Sequence, residues 1–191
     1  MEEKDYNENT PLHHASTGKR LENMELLMNQ GANLEARNGK GDAPLHSICK
    51  SSKSDVDNKV HLLLDRGTNF EARNNDGRTP LHVATNLNAA RIVLDRGANL
   101  EASGNTPLHV ACSERNIGLI RLLLHRGADL EATTNRGYRP LHFEAVNAFT
   151  DVARLFLISR SGPWQIPRHL QERRPCPWHV KIAIWRLYGC R

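Results

Sequence analysis

The chain has 191 residues and a formal charge of +5, which is length enough to bury a core without a structural metal. No run of 18 or more apolar residues occurs and the first ten residues, MEEKDYNENT, are polar and acidic, so neither a spanning helix nor a secretory leader is read here, and cytoplasm or nucleus is the expected compartment. The positive charge does not mark the body of the chain as a nucleic-acid binder, because residues 1–160 carry 20 basic and 20 acidic side chains while residues 161–191 carry six and one.

The first predicted element opens at Asn9 with NTPLHHA, and close copies follow as DAPLHSI from Asp42, GRTPLHVA from Gly77, NTPLHVA from Asn105 and YRPLHFE from Tyr138. The prolines are Pro11, Pro44, Pro80, Pro107 and Pro140, separated by 33, 36, 27 and 33 residues. Thr10, Thr79 and Thr106 stand where a helix N-cap belongs, and proline follows at the first helical position, where its missing N–H costs nothing. Each copy therefore predicts a short first helix. An apolar-periodic run follows, such as VHLLLDRG from Val60 or IGLIRLLLHRG from Ile117, and each run ends at Gly31, Gly67, Gly97 or Gly127. Glycine just past a helix takes the left-handed conformation without a Cβ penalty, so these are predicted ends of second helices.

After each glycine comes a string such as GANLEA at Gly31, GTNFEA at Gly67 or GADLEA at Gly127, and then a polar segment rich in Asn, Asp and Gly. That composition predicts an extended finger closed by a tight turn. Two units are off length. Pro44 to Glu71 is 27 residues, against 24 from Pro11 to Glu35, which places an extra helical turn or a longer inter-helix loop in CKSSKSDVDN. Pro80 to Glu101 is 21, and Glu101 to Pro107 is six instead of nine, so the third unit is short and its finger, EASGNT, is truncated. Helix pairs this small hide their apolar side chains only by stacking on neighbours.

The spacing of 33 residues with T-P-L-H-x-A, repeated five times and joined to four G-A-x-L-E-A-like strings, resembles the ankyrin repeat over about residues 9–160. The resemblance implies an all-α solenoid of stacked helix-turn-helix units with hairpin-like fingers. It also implies a non-catalytic, monomeric scaffold that binds a protein partner through its fingers and the concave face of its helices. The residues that vary between units are the finger tips, RNGKGD from Arg37, RNNDGR from Arg73, SGN from Ser103 and TTNRGY from Thr133. Arg37, Lys40, Arg73, Asp76, Arg78, Asn105, Asn135, Arg136 and Tyr138 are accordingly the candidate partner-binding residues. Arg73, Arg78, Arg136 and Tyr138 lead, since arginine and tyrosine are frequent binding anchors and the truncated third finger would leave a notch between them.

The five histidines, His13, His46, His82, His109 and His142, fall in the first turn of each first helix. Stacked helices lie roughly 8–10 Å apart, too far for imidazoles in successive units to share one zinc at bond lengths of about 2 Å. They read as framework, bonded to the loop backbone and to the threonine three positions earlier. No cofactor is expected. HFE at His142–Glu144 followed by PCPWH at Pro175–His179 imitates the H-x-E…P-C-x-x-C signature of zinc-dependent nucleobase deaminases, but His142 already belongs to the repeat. A zinc-dependent hydrolase or deaminase is the remote alternative. Four cysteines, Cys49, Cys112, Cys176 and Cys190, form no C-x-x-C pair and read as free thiols. Cys49 and Cys112 share one position on the first helix, which favours packing.

The fifth unit begins in register and then departs, with Glu144 in an alanine slot and Arg160 in place of the helix-ending glycine, as a capping unit would. Residues 161–191 form a separate basic segment holding Trp164, Trp178 and Trp185 and four of the nine prolines. Its readings are a helix docked on the last repeat, a partner-binding tail, or residues without an evolved fold. In the second reading the chain is an adaptor, recruiting a client to another machine such as a ubiquitin ligase.

Overall fold

The computed structural model describes residues 3–53, 55–102 and 104–147, with side chains described to residue 143. Among the described residues the regular elements are eight helices and no strand: α1 (Pro11–Thr17), α2 (Leu21–Asn29), α3 (Pro44–Cys49), α4 (Asp57–Asp65), α5 (Leu87–Asp95), α6 (Pro107–Ser113), α7 (Ile117–His125) and α8 (Pro140–Asn147). The chain divides into two compact units between Ser103 and Gly104, inside the shortened finger. In the first, α1 packs on α2 and α3, α3 on α4 and α5, and α4 on α2 and α5; in the second, α6 packs on α7 and α8. Leu12, Met24, Leu45, Ile48, Leu63 and Leu81 are sealed in the first core, and Leu108, Leu119, Ile120 and Leu123 in the second. Each such side chain contributes about 1.5–3 kcal/mol by leaving water.

The helix boundaries follow the local chemistry. Thr10 and Thr106 are extended N-caps with proline at the start of α1 and α6. Gly31, Gly67, Gly97 and Gly127 take φ of 82°, 83°, 91° and 87°, and the amide after each bonds back into the finished helix, as Ala32 N–H does to Leu27 O at 3.0 Å.

The third unit departs from the expected pair of helices. Pro80–Val83 makes only a turn, because Leu87, the first residue of α5, follows Pro80 by seven positions, whereas Leu21 follows Pro11 by ten. The lost residues come from the end of the first helix. The surplus in the second unit is a longer loop between α3 and α4, not an added helical turn. Surplus and deficit meet. Thr85 and Asn86 N–H both donate to Cys49 O, at 3.0 and 3.1 Å, Thr85 Oγ1 donates to Lys50 O at 3.0 Å, and Asn86 Nδ2 donates to Ser51 O at 3.0 Å and Lys53 O at 3.2 Å. The same Asn86 caps α5, its Oδ1 accepting from Asn88 and Ala89 N–H. One side chain thus starts a helix and fastens the longer loop against the shortened unit.

That loop also leads to a buried lysine. Counting back eight residues from the helix-ending glycine, Lys59 stands where Ala89 and Leu119 stand in later units, and it is 2 % exposed. Its Nζ donates to Ala15 O at 3.3 Å and to Gly18 O, and Lys53 Nζ donates to Thr17 O. Two ammonium groups therefore close the carbonyl end of α1, where the helix dipole favours positive charge. Burial pulls the Lys59 ammonium below the ordinary lysine value.

The fingers are tight turns held by one repeated device. Asn38 Oδ1 accepts from Lys40 and Asp42 N–H, both at 3.0 Å, Asn74 Oδ1 from Asp76 and Arg78 N–H at 3.1 and 3.0 Å, and Thr134 Oγ1 from Arg136 and Tyr138 N–H at 3.3 and 3.1 Å. Asp5 does the same with Asn7 and Asn9 N–H, both at 2.8 Å, so a finger tip stands before the first helix, where sequence reading began only at Asn9. Glu8 there has φ of 59°, in the slot held elsewhere by Gly41 (71°), Gly77 (73°) and Gly137 (77°). A non-glycine residue in that region costs about 1–2 kcal/mol. Glu8→Gly is expected to stabilise the protein by about 0.5–1 kcal/mol, read as a rise in the denaturation midpoint at unchanged slope; a fall would contradict the assignment of this turn.

Candidate partner-binding fingers

The repeated residues are occupied with holding units together. In the first unit Thr10 N–H and hydroxyl both donate to His13 Nδ1, at 3.2 and 2.9 Å, and His13 Nε2 lies 2.9 Å from Asp42 O in the next finger. The pattern recurs at His46 with Ala43 N–H and Arg78 O (3.1 Å each), and at His82 with Thr79 and Ala102 O (3.0 Å). In the second compact unit it recurs at His109 with Thr106 and Tyr138 O (3.0 Å). A backbone N–H can only donate and a carbonyl can only accept, so each ring is the neutral tautomer with its proton on Nε2. Both nitrogens are spent, leaving no lone pair for a metal. His142 Nδ1 likewise accepts from Arg139 N–H at 2.9 Å.

Sequence reading anticipated the local bond to the threonine but not the reach into the next unit. Nothing in a single T-P-L-H string marks it. Burial drives the imidazoles of His13, His46 and His109 below the ordinary histidine value, against the opposite pull of the carbonyl each one faces. The glutamates of the L-E-A and F-E-A strings add a second inter-unit tie, Glu35 Oε1 accepting from Asn69 N–H at 2.7 Å and Glu71 Oε1 from Asn99 N–H at 2.8 Å. On the second helices, Arg66 Nη2 donates to Asn29 Oδ1 at 3.0 Å and Arg96 Nη2 pairs with Asp65 Oδ1 at 2.7 Å.

Cys49 and Cys112 are free and buried. Burial pushes the Cys49 thiol up to about 12, which removes the thiolate a nucleophile needs. The remaining parts of the zinc signature, Glu144 as a side chain and Cys176 and His179, lie outside the described residues, as do Cys190, Arg160 and the whole of residues 161–191.

What the framework leaves over is the finger surface. Arg37, Lys40, Arg73, Asp76, Asn105, Asn135, Arg136 and Tyr138 are exposed, and Arg78 is half-buried. They are not equivalent. The first compact unit holds Arg37, Lys40, Arg73, Asp76 and Arg78, and the second holds Asn105, Asn135, Arg136 and Tyr138. Arg37 Nη1 donates to Gly41 O at 3.4 Å and to Arg73 O of the next finger, so it ties fingers as well as facing solvent. Arg78 and Tyr138 supply the carbonyls that receive His46 and His109, which fixes their backbones.

Tyr138 belongs to an aromatic group, its ring edge-on to His142 at 5.9 Å and to Phe143 at 6.2 Å, with Phe143 edge-on to His109 at 5.9 Å. Tyr138 is 49 % exposed. Beside it Arg139 Nη1 pairs with Glu131 Oε2 at 2.9 Å. Sequence reading missed Tyr6, fully exposed at the turn that opens with Asp5. The signal was present in DYNEN, a finger tip whose glycine slot holds Glu8.

Charge at the finger bases is arranged around Asp42, which is buried, with Oδ2 2.5 Å from Lys50 Nζ and Oδ1 2.8 Å from Asn74 Nδ2. Burial alone would raise its carboxyl, but these two donors outweigh that and hold it below the ordinary value.

Helix pairs ended by left-handed glycines, joined by finger turns and latched by one histidine per unit, define a helical repeat protein. A family model described as ankyrin repeats (3 copies) matches residues 12–103, 49–134 and 97–163, and the chain belongs to the ankyrin repeat family. No curated protein matches it. Ankyrin repeats generally mediate protein–protein interaction, and the fold of this chain is the all-helical repeat fold of that family. No helix among the described residues is long and apolar enough to cross a membrane.

Proposed function

We propose that the chain is a non-catalytic, monomeric scaffold of cytoplasm or nucleus, comprising a repeat domain over residues 1–160 followed by a basic tail over 161–191. It captures a protein partner through Arg37, Lys40, Arg73, Asp76, Arg78, Asn105, Asn135, Arg136 and Tyr138 and through the adjoining helix face. The observation that carries this reading is the division of labour between residues. The repeated histidines, threonines and glutamates are consumed by bonds within and between units, while the finger-tip side chains are exposed, or half-buried at Arg78, on tight turns. A fixed turn presents an arginine or a half-exposed tyrosine at little entropic cost, and these are the side chains that most often dominate binding energy.

The test compares three full-length proteins and one truncation in partner capture by in-cell crosslinking and mass spectrometry. Arg78→Ala combined with Tyr138→Ala, assayed below its melting midpoint, is expected to stay folded and to lose about 2–4 kcal/mol of binding, whereas Lys19→Ala, on the α1–α2 turn, is expected to retain capture. Removing residues 161–191 is expected to leave capture intact. Capture that survives the double substitution but disappears with the tail would make the tail the functional element and refute this reading.

A further inference from the structure

Three basic side chains occupy one equivalent position on consecutive fingers of the first compact unit. Lys4, Arg37 and Arg73 each stand four residues before the left-handed residue of their turn, Glu8, Gly41 and Gly77. Each head group lies over main chain: Lys4 Nζ donates to Arg37 O at 3.0 Å, Arg37 Nη1 to Arg73 O, and Arg73 Nη1 to Gly77 O at 3.4 Å. The cations therefore follow one another from finger to finger, and all three residues are exposed. The Arg37 guanidinium donates to the carbonyl oxygens of Gly41 and Arg73 and not to a carboxylate. Of the carboxylates nearby, Glu8 pairs with Lys4 Nζ at 3.4 Å on the exposed surface, Asp42 accepts from Lys50 and Asn74, and Asp5 accepts from Asn7, Asn9 and His14.

We propose that Lys4, Arg37 and Arg73 form a docking track for an extended acidic segment of a partner protein carrying Asp or Glu at about every third residue. The inference rests on the scaffold reading above and assigns it a partner chemistry. The period comes from geometry. Stacked units repeat at roughly 8–10 Å, and an extended chain advances about 3.3 Å per residue, so three residues cover about one unit. Guanidinium groups already aligned by main-chain bonds meet carboxylates in a fixed geometry, which favours Arg at two of the three places. A continuous polyanion fits less well. Each strand of a nucleic-acid duplex carries a phosphate about every 3.4 Å along its axis, far closer than the roughly 8–10 Å between units, so most of its charges would find no cation of the track.

The experiment uses the full-length chain and a fluorescent peptide of about fifteen residues with Glu at every third position in a Gly/Ser background, read by anisotropy. Comparison probes are the same composition with its glutamates contiguous, the Gln version, and a single-stranded oligonucleotide. The spaced peptide is expected to bind at least about threefold more tightly than the contiguous one and to weaken severalfold between about 50 and about 200 mM salt, as exposed ion pairs do. Arg37→Gln is expected to weaken it about three- to tenfold, and Lys19→Gln, away from the track, to leave it unchanged.

Because Arg37 and Lys4 each bond the main chain of the next finger, Lys4→Gln is measured in parallel with both melting curves, at a temperature below both midpoints, and it is expected to weaken binding there while the protein remains folded. Equal binding of the spaced and contiguous peptides, tighter binding of the oligonucleotide, or indifference to both substitutions would each overturn the proposal. If the peptides fail while Arg78→Ala with Tyr138→Ala still abolishes partner capture, the track is wrong and the scaffold reading stands; if both fail, the scaffold reading falls with it.

Discussion

Acidification from about pH 7.5 to about pH 5 is expected to lower the melting temperature progressively. His13, His46 and His109 are buried between units with Nδ1 accepting from a backbone N–H and Nε2 facing a carbonyl. A second proton would have to sit on Nδ1, against a donor. Burial holds all three below the 6.5 of a free histidine. Below pH 6.5 the unfolded chain therefore binds protons that the folded chain refuses, so this stability is complete above 6.5 and is lost as the pH falls toward the folded values.

Each such group contributes a slope of up to about 1.4 kcal/mol per pH unit. The groups facing these rings are mixed. Asp42 favours the charged form of His13 and His46, while Lys50 and Arg37 oppose it at His46 and His14 and Lys4 oppose it at His13. Asp42, held below 3.8, acts in the same direction at lower pH, its contribution being present above 3.8 and lost beneath it. Thermal melts across the pH series check this; a melting temperature unchanged between pH 7.5 and 5 would show that the histidine latches are not closed as described.

Replacing Lys59 with alanine is expected to cost about 2–4 kcal/mol. The side chain fills a slot that is apolar in later units, so truncation leaves a cavity. It also strips the donor from Ala15 O and Gly18 O at the end of α1. Lys59→Met separates the two effects, since it keeps the volume and removes only the ammonium. Chemical denaturation measures both, and a loss below about 0.5 kcal/mol for Lys59→Ala would mean that the ammonium and its stem carry no load.

How far the sequence determined these features differs by element. Proline after threonine, glycine after an apolar run, and Asn-Asp-Gly turns each act within a few residues, and the helices and fingers they specify stand where those signals put them except at Thr79-Pro80, where the helix start yields only a turn. The third unit shows the limit of local reading. The missing residues were countable from Pro80 to Glu101, but their loss from the first helix depends on Asn86 capping α5 while bonding the loop at Ser51 and Lys53. Lys59 was illegible for a related reason: a lysine in a helical run reads as surface until its partner carbonyls, more than forty residues earlier, come into place.

The finger residues were chosen because they vary between units, and the structure adds what variation alone cannot supply. Arg37 is partly a structural tie, Arg78 and Tyr138 are anchored through their backbone carbonyls, and Tyr6 is a third kind of tip, fully exposed on the Asp5 turn.

The central claim is that the repeated histidines hold the protein together while the finger tips bind. It is tested most directly by measuring melting temperature and partner capture for His82→Ala and Tyr138→Ala in parallel, at a temperature below both melting points. His82→Ala, which loses bonds to Thr79 and Ala102 O, is expected to lose about 1–3 kcal/mol of stability and to retain capture, and Tyr138→Ala, which gives up edge-on contacts with His142 and Phe143, to lose about 0.5–1.5 kcal/mol and to lose capture. The reverse pattern, with a stable His82→Ala protein that no longer captures its partner, would contradict the account.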